Sequence, residues 1–350
     1  MVYSWAILDL EISLFHDKIP KLSISEMNGP LPDTEVLWRA RTPLEWEISF
    51  HTVHGNSMSL DRRVKAPPSL HDLFRRFMKR EFLNRKIDLP PIHLRLLLHP
   101  LQALISHLHH CLGYFADEGS HRQSQRVISQ FEEVQSLLQN WSTLADRTVS
   151  AQENGESCCV TRAMFVMYHL ISLNVLTHFP DIERMARGDI PQATFQQSFW
   201  ARARCVDEAP HIWFHCGQVL RLVRSMPEAT KPPWHAGAVY RVALVMWATS
   251  IANLANADTT ARSSNVAPRH HNSVAVDTLT PEHTAIVRYL RYGDGVPVLS
   301  NAKNEAAFVS LDTPANCLAY CVDLLSEEEP TTRLTNGIKD RLGRLFQQVR

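Results

Sequence analysis

Residues 160–187 read VTRAMFVMYHLISLNVLTHFPDIERMAR. Met164, Met167, Tyr168, Ile171, Val175 and Phe179 recur at intervals of three and four, the period of a helix. Phe165, Val166, Leu170, Leu173 and Leu176 fill most of the remaining directions, so the helix is apolar nearly all round. Such a helix belongs at the centre of a larger helical body. Pro180 breaks it, because proline lacks the amide hydrogen and clashes with the preceding turn. Asp181-Ile182-Glu183-Arg184 then restarts a second helix with acids in its first turn.

Composition agrees with that centre. Hydrophobic residues make up 45% of the 350 positions and include 8 Trp, enough for a sizeable core. The 12 Gly are few and alternating runs are scarce, which favours helices over strands. With 36 basic and 36 acidic residues the formal charge is zero, which excludes whole-molecule attraction to nucleic acid or an acidic membrane. Seven Cys, an odd number with no CxxC pair, suit free thiols in a reducing compartment. The N-terminal MVYSWAILDLEISLF carries Asp9 and Glu11 without a basic start, so it is not read as a signal peptide. The longest apolar run, 236–254, contains Arg241 and Asn253 and reads as a core helix, not a membrane span.

Outward from the central helix, periodicity places helices at 92–115, from Val127 to Trp141, at 195–226 with a bend at Pro210, and at 234–254. The first two, joined near Gly119, are expected to pack as an antiparallel hairpin. At the N-terminus Trp5, Leu8, Ile12 and Phe15 form one stripe, with Asp9 and Ser13 opposite. Asn256–Thr280 is poor in large apolar residues and reads as a flexible linker. Helices at 281–292, 314–325 and 336–349 close the chain. The expected fold is all-α: one large multi-helix domain, with a main body at 1–255, a linker at 256–280 and C-terminal helices at 281–350 packing on the body.

The N-terminal stretch WAILDLEISLFHDKIPKLSISEMNGPLPDTEVLWRA resembles a segment of the fungal-specific transcription factor domain. The form it is most similar to accompanies two-Cys-two-His zinc fingers. Asp9, Glu11, Phe15, His16, Asp17, Pro20, Pro30, Pro32, Leu37 and Trp38 carry the likeness. YHLISLNVLTHFPDIERMAR, PPWHAGAVYRVALVMWATSIANL and LDTPANCLAYCVDLL follow in the family's order. The resemblance implies the regulatory region of a nuclear, RNA-polymerase-II-directed regulator. It would meet DNA only indirectly, and its partners would be the transcription machinery or a second copy. The family's fingers lie upstream of the segment this chain matches, so zinc is expected only there and no cofactor is expected here.

From Asp61 to Lys86 nine basic residues face three acids. Arg62, Arg63, Lys65, Arg75, Arg76, Lys79 and Arg80 could form a nuclear-import or nucleic-acid patch, or simply a solvated helix face. His107 with Cys111, and His211 with His215, offer pairs of ligands at helical spacing. They could complete a four-ligand zinc site only if their helices touched. No GxSxG elbow, phosphate-binding GxxxxGK[ST] loop or HExxH motif occurs, so no catalytic or metal residue is assigned. The competing class is a helical small-molecule-binding protein or enzyme with an enclosed apolar cavity, which Trp213, Tyr240 and Trp247 could line. Metal analysis of the purified chain is expected to find no stoichiometric zinc. One tightly held zinc per molecule would reverse this, with His107, Cys111, His211 and His215 the first residues to substitute.

Overall fold

The computed structural model describes residues 2–33, 35–54, 68–117, 121–150, 159–192, 209–260, 272–301, 308–327 and 331–349. The described residues are predominantly helical, with one small sheet. They divide into two compact units, Met1–His107 with Ser136–Gly155, and Leu108–Gln135 with Glu156–Arg350.

In the first unit, α1 (Val2–His16) is followed by α2 (Glu35–Arg39), α3 (Pro43–His54), α4 (Leu70–Met78) and α5 (Glu81–Asn84). The start of α6 (Pro91–Asp117) and the end of α7 (His121–Ser150) complete it. Trp141 is fully buried, so its indole N–H needs an acceptor, and it donates to the Leu94 carbonyl at 2.8 Å. Thr148 donates to the Leu89 carbonyl at 3.1 Å. Partner numbers fall along α7 as they rise along α6, which is the antiparallel hairpin expected. At the start of α4 the Ser69 hydroxyl accepts from the Asp72 amide at 3.1 Å, satisfying a free N–H of the first turn.

α1 is turned opposite to expectation. Its buried residues are Ala6, Leu10, Ser13 and Leu14, while Trp5, Leu8 and Ile12 are exposed. The polar residues face inward because they have partners there. Ser13 Oγ donates to the Lys18 carbonyl at 2.6 Å, and the Asp9 carboxylate holds the chain returning from the helix.

In the second unit, the apolar stretch forms α8 (Cys159–Leu176), and Pro180 sits in the first turn of α9 (Phe179–Ala186). There its missing N–H costs nothing, so the break falls at Thr177-His178, ahead of the proline. α8 packs against α10 (Ala209–Ser225), which packs against α11 (His235–Thr260). Pro210 lies in the first turn of α10, while residues 195–208 of the long helix expected at 195–226 lie outside the described residues. α11 also meets α9, α13 (Pro314–Ser326) and α14 (Arg333–Val349). α8 and residues 235–254 of α11 are long and apolar enough to cross a membrane, yet 72% of each is buried inside the structure. Packing accounts for their apolarity.

The expected linker is corrected by the structure. Residues 256–260 continue α11, and 261–271 lie outside the described residues. Ser273–Ala275 is strand β1, with Val274, Val276 and Asp277 all buried. β1 runs through α12 (Thr284–Tyr292) into β2 (Val296–Ser300), parallel to it, with Val274 opposite Pro297. β3 (Phe308–Ser310) pairs antiparallel with β2, Leu299 opposite Val309. Parallel strands need a crossover, and α12 provides it. Gly293 ends α12 at φ +63°, the left-handed cap, with its N–H on the Tyr289 carbonyl at 2.9 Å. The composition of 256–280 suggested a polar linker because its few apolar residues are small, but small residues suffice where a helix lies directly on the backbone.

That helix is α10. A Cβ on Gly217 would lie 2.3 Å from the Val276 carbonyl oxygen, so only glycine allows the approach. The next residue, Gln218, donates to the Val276 carbonyl at 3.0 Å and to the Leu279 carbonyl at 2.9 Å. Gly217→Ala gains about 1 kcal/mol of helix propensity but forces backbone apart, at about 3 kcal/mol. Denaturant unfolding is expected to show a net loss of about 2 kcal/mol. Gly113→Ala, with nothing within 4 Å of the added carbon, is expected to be neutral or stabilising. Equal midpoints for the two variants would refute the close approach.

Candidate functional site

Three clusters bring polar chemistry together. The first is built on α1. Asp9 accepts from the Lys21 amide at 2.8 Å, the Leu22 amide at 2.9 Å and His99 Nε2 at 2.9 Å. Burial pushes the Asp9 carboxyl up, but the hydrogen bonds from Leu22, His99 and Lys21 outweigh it and hold the group below its ordinary range. Glu11 pairs with Arg95, one turn before His99 on α6, at 3.0 Å. The two acids therefore have separate cationic partners and form no carboxylate pair. The signal in the sequence was a polar His99 inside RLLLHPLQ, an otherwise leucine-rich run.

The second cluster is the basic segment. Arg62, Arg63 and Lys65 lie outside the described residues. Arg76 is bound to Glu81 at 3.0 Å and lies over the Phe82 ring at 4.8 Å. Arg80 donates to Ser136 Oγ at 2.9 Å, and Arg75 reaches Asp72 at 3.4 Å. Lys79 is exposed. The geometry thus ties Arg76 and Arg80 to their own unit, although Arg80 is exposed, as are Arg75, Lys79, Arg85 and Lys86 in the described half.

The third cluster joins the sheet of the second unit to its helices. The Asp277 carboxylate, fully buried, accepts from the Ser300 amide at 2.9 Å and from Ser300 Oγ, Tyr320 Oη and Arg224 Nη2, each at 2.7 Å. Arg224 also donates to Tyr320 Oη and, through Nη1, to Ser300 Oγ at 3.1 Å. Burial, and then the Asp277 charge, push the Tyr320 phenol far up, which keeps it a donor. Sequence reasoning missed this cluster. Its members are 96 residues apart at the widest, and no local pattern joins them.

Of the suspected ligand pairs, His215 does not work with His211. Its Nδ1 lies 2.8 Å from Nδ1 of His169 on α8, both rings buried among Tyr168 and Phe214. Among the described residues no three His, Cys, Asp or Glu side chains are placed to hold a metal ion. Trp213 and Trp247 are core residues, and Tyr240 donates to Glu183 at 3.0 Å. A cavity of about 190 Å³ lies elsewhere, beside Arg224.

Over 366 aligned residues the chain is 37% identical to a protein of Zymoseptoria tritici named as a transcription factor, covering 99% of this chain and 37% of that protein. It is 38% identical to transcription factor 1 of Elsinoe fawcettii, over 99% of this chain and 35% of the relative. The chain is homologous to fungal transcription factors. It is also 31% identical to transcription factor PfmaH of Pestalotiopsis fici, across 98% of this chain and 35% of that one. The chain spans little more than a third of the length of these transcription factors, and the likeness runs through both compact units. No family model and no solved structure matches the chain.

The histidine pair makes the second unit sensitive to acid. Burial, then the neighbouring charge of His211, pushes His215 down to about 3. Burial, then His215 and Arg221, pushes His169 well below its ordinary 6.5. Both are neutral when folded, so the unfolded chain binds more protons once the pH drops below about 6.5. The contribution is complete above that value and is lost as the pH falls toward 3. Each histidine is expected to cost about 1.4 kcal/mol per pH unit below 6.5, which is also about 1.4 kcal/mol between pH 7.5 and 5.5. Denaturant midpoints at those two values should show it. The double variant His169→Phe, His215→Phe should show a smaller pH dependence, and an unchanged slope would contradict the buried neutral pair.

Proposed function

We propose that the chain is the regulatory and interaction region of a fungal RNA polymerase II transcription factor, working in the nucleus through protein contacts. The observation that carries this is the likeness of the whole chain to part of longer proteins named as transcription factors. The resemblance of the N-terminal and later stretches to the fungal-specific transcription factor domain supports the finer reading. Base recognition and its zinc are then the work of fingers outside this segment, and the chain itself holds no cofactor and catalyses no reaction. The exposed apolar residues of α1 and α3, among them Trp5, Leu8, Leu44, Trp46 and Ile48, support a role in contacts. Those contacts are with the transcription machinery or a second copy, and no membrane is involved.

DNA binding tests the division of labour. Of the five exposed cations of the described basic segment, Arg75 and Arg85 already pair with Asp72 and Glu81, so it can neutralise few phosphates. Nonspecific binding should be weak, with a dissociation constant of roughly 10⁻⁴–10⁻⁶ M that rises steeply with salt. Reading bases requires an element presented to the major groove. Mobility shifts against a random duplex library at physiological salt are expected to select no motif. A defined sequence bound with nanomolar affinity would overturn the proposal and make Arg75 and Lys79 the residues to substitute first. Recovery of general transcription proteins on the immobilised chain from nuclear extract, lost on replacing Trp5 and Leu8 by Ser, is the positive counterpart.

A further inference from the structure

We infer that α3 (Pro43–His54) pairs antiparallel with α3 of a second copy of this chain, through a stripe made by Leu44, Ile48 and Thr52. The inference rests on the reading above that the chain works through protein contacts, and it commits α3 to one partner.

α3 packs on α2, yet none of its side chains from Pro43 to Val53 is buried. Trp46, Ile48, Phe50, Thr52 and Val53 are β-branched or aromatic, and so are poor helix formers. A helix of about 12 residues is marginal in water even when built from good formers. Its start is capped: Thr42 Oγ1 accepts from the Glu45 amide at 3.1 Å, and the Glu45 carboxylate accepts from the Arg41 amide at 2.7 Å. Capping satisfies the first turn but removes no apolar surface from water. The helix therefore calls for a cover.

Two apolar stripes run along opposite sides of α3. Trp46, Phe50 and Val53 form one, with Trp46 stacked on Phe50 at 5.1 Å and Phe50 half-buried. Leu44 and Ile48, one turn apart, begin the other. They are 67% and 58% exposed, against 45% for Trp46 and 38% for Val53. A helix apolar on opposite sides belongs between two neighbours, and the more exposed stripe is the docking side.

The charges beside that stripe select the occupant. Glu47 and His51, four apart and both exposed, lie on one flank of it. When two copies pack antiparallel across a two-fold axis at Ile48, equal flanks meet in reverse order. Leu44 then meets Thr52, Ile48 meets its own copy, and each Glu47 faces the other chain's His51. A parallel pair would instead set Glu47 beside Glu45, which lies on the opposite flank, and like charges repel. Two helices each about 18 Å long bury well under the roughly 800 Å² per partner of a standard interface. The association is accordingly weak, with a dissociation constant of about 10⁻⁵ M.

Sedimentation velocity on the full chain at low ionic strength, up to about 100 µM, tests this. A concentration-dependent monomer–dimer equilibrium is expected. Leu44→Ser with Ile48→Ser should abolish it and keep the fold, since both residues are exposed; circular dichroism checks the fold. Glu47→Lys and His51→Glu should each weaken association about tenfold. An equimolar mixture of those two variants should restore it, because each supplies at both contacts the charge that the other has lost. A chain monomeric at about 100 µM overturns the inference and gives the stripe to an unlike protein. Dimers that survive the serine variant, or a mixture no tighter than its components, overturn it too. Failure of the pairing would leave the nuclear-extract and DNA results unchanged, whereas a DNA motif would overturn the transcriptional reading without altering the sedimentation.

Discussion

The buried carboxylate of Asp277 holds the second unit in register. It lies at the end of β1 and receives hydrogen bonds from Ser300 on β2, Arg224 on α10 and Tyr320 on α13. An ion of this kind is costly to take out of water, and it is tolerated only when every lone pair is met and an opposite charge is adjacent. Here the carboxylate accepts four hydrogen bonds and the Arg224 guanidinium is adjacent, so the elements that supply the partners cannot shift independently. Arg224 responds in kind. Burial alone would lower its basicity, but the Asp277 bond and the surrounding acids outweigh it, and the guanidinium is held more firmly protonated than usual.

Two neighbouring features extend that constraint along α10. Gly217 lets the helix touch the Val276 backbone, and Gln218 caps the carbonyls of Val276 and Leu279 that the turn after β1 leaves open. Nearly two turns before Arg224 on the same helix, Gln218 also accepts from Arg221 at 2.8 Å. α10 therefore carries a polar seam toward the sheet, while it also packs on α8 and buries Ile212, Cys216 and Val219. The His169–His215 pair is a buried polar contact between α10 and α8, and it survives there because each ring satisfies the other without a net charge.

The helices were legible because their signal is local. α8, α11, α13 and α14 follow from apolar spacing within a few turns, and the all-α class follows from them. Pro180 was legible as a break, though its position one residue inside α9 depends on cap geometry that spacing does not encode. The sheet was not legible. Ser273–Ala275 and Phe308–Ser310 are three residues each, too short for alternation to declare itself, and their pairing is non-local. The Asp277 cluster was illegible for the same reason: a lone aspartate in a polar stretch gives no hint of an arginine 53 residues earlier. In the basic segment, net charge was visible, but the partners that tie Arg76 and Arg80 to their own unit were not, because one is a ring and another a serine on a distant helix.

α1 shows how magnitude decides an orientation that pattern alone gets wrong. Turning the helix to bury Trp5, Leu8 and Ile12 would gain about 1.5–3 kcal/mol for each side chain removed from water. The same rotation would carry Asp9 away from the Lys21 and Leu22 amides and leave His99, which is only 1% exposed, facing no acid. Hydrogen bonds to a charged group contribute about 1.5–3 kcal/mol each, and a buried donor left unmet costs a similar amount. Three such bonds to Asp9, with the Glu11–Arg95 pair and the Ser13–Lys18 bond beside them, match or exceed the apolar gain. Leu10 and Leu14 are buried in the observed orientation, so the apolar loss on rotation is real as well. The balance falls on the side that faces polarity inward and leaves the tryptophan stripe to solvent. A stripe kept outside by hydrogen bonds beneath it is available for contact without unfolding anything, whereas one buried in the core would have to be released first.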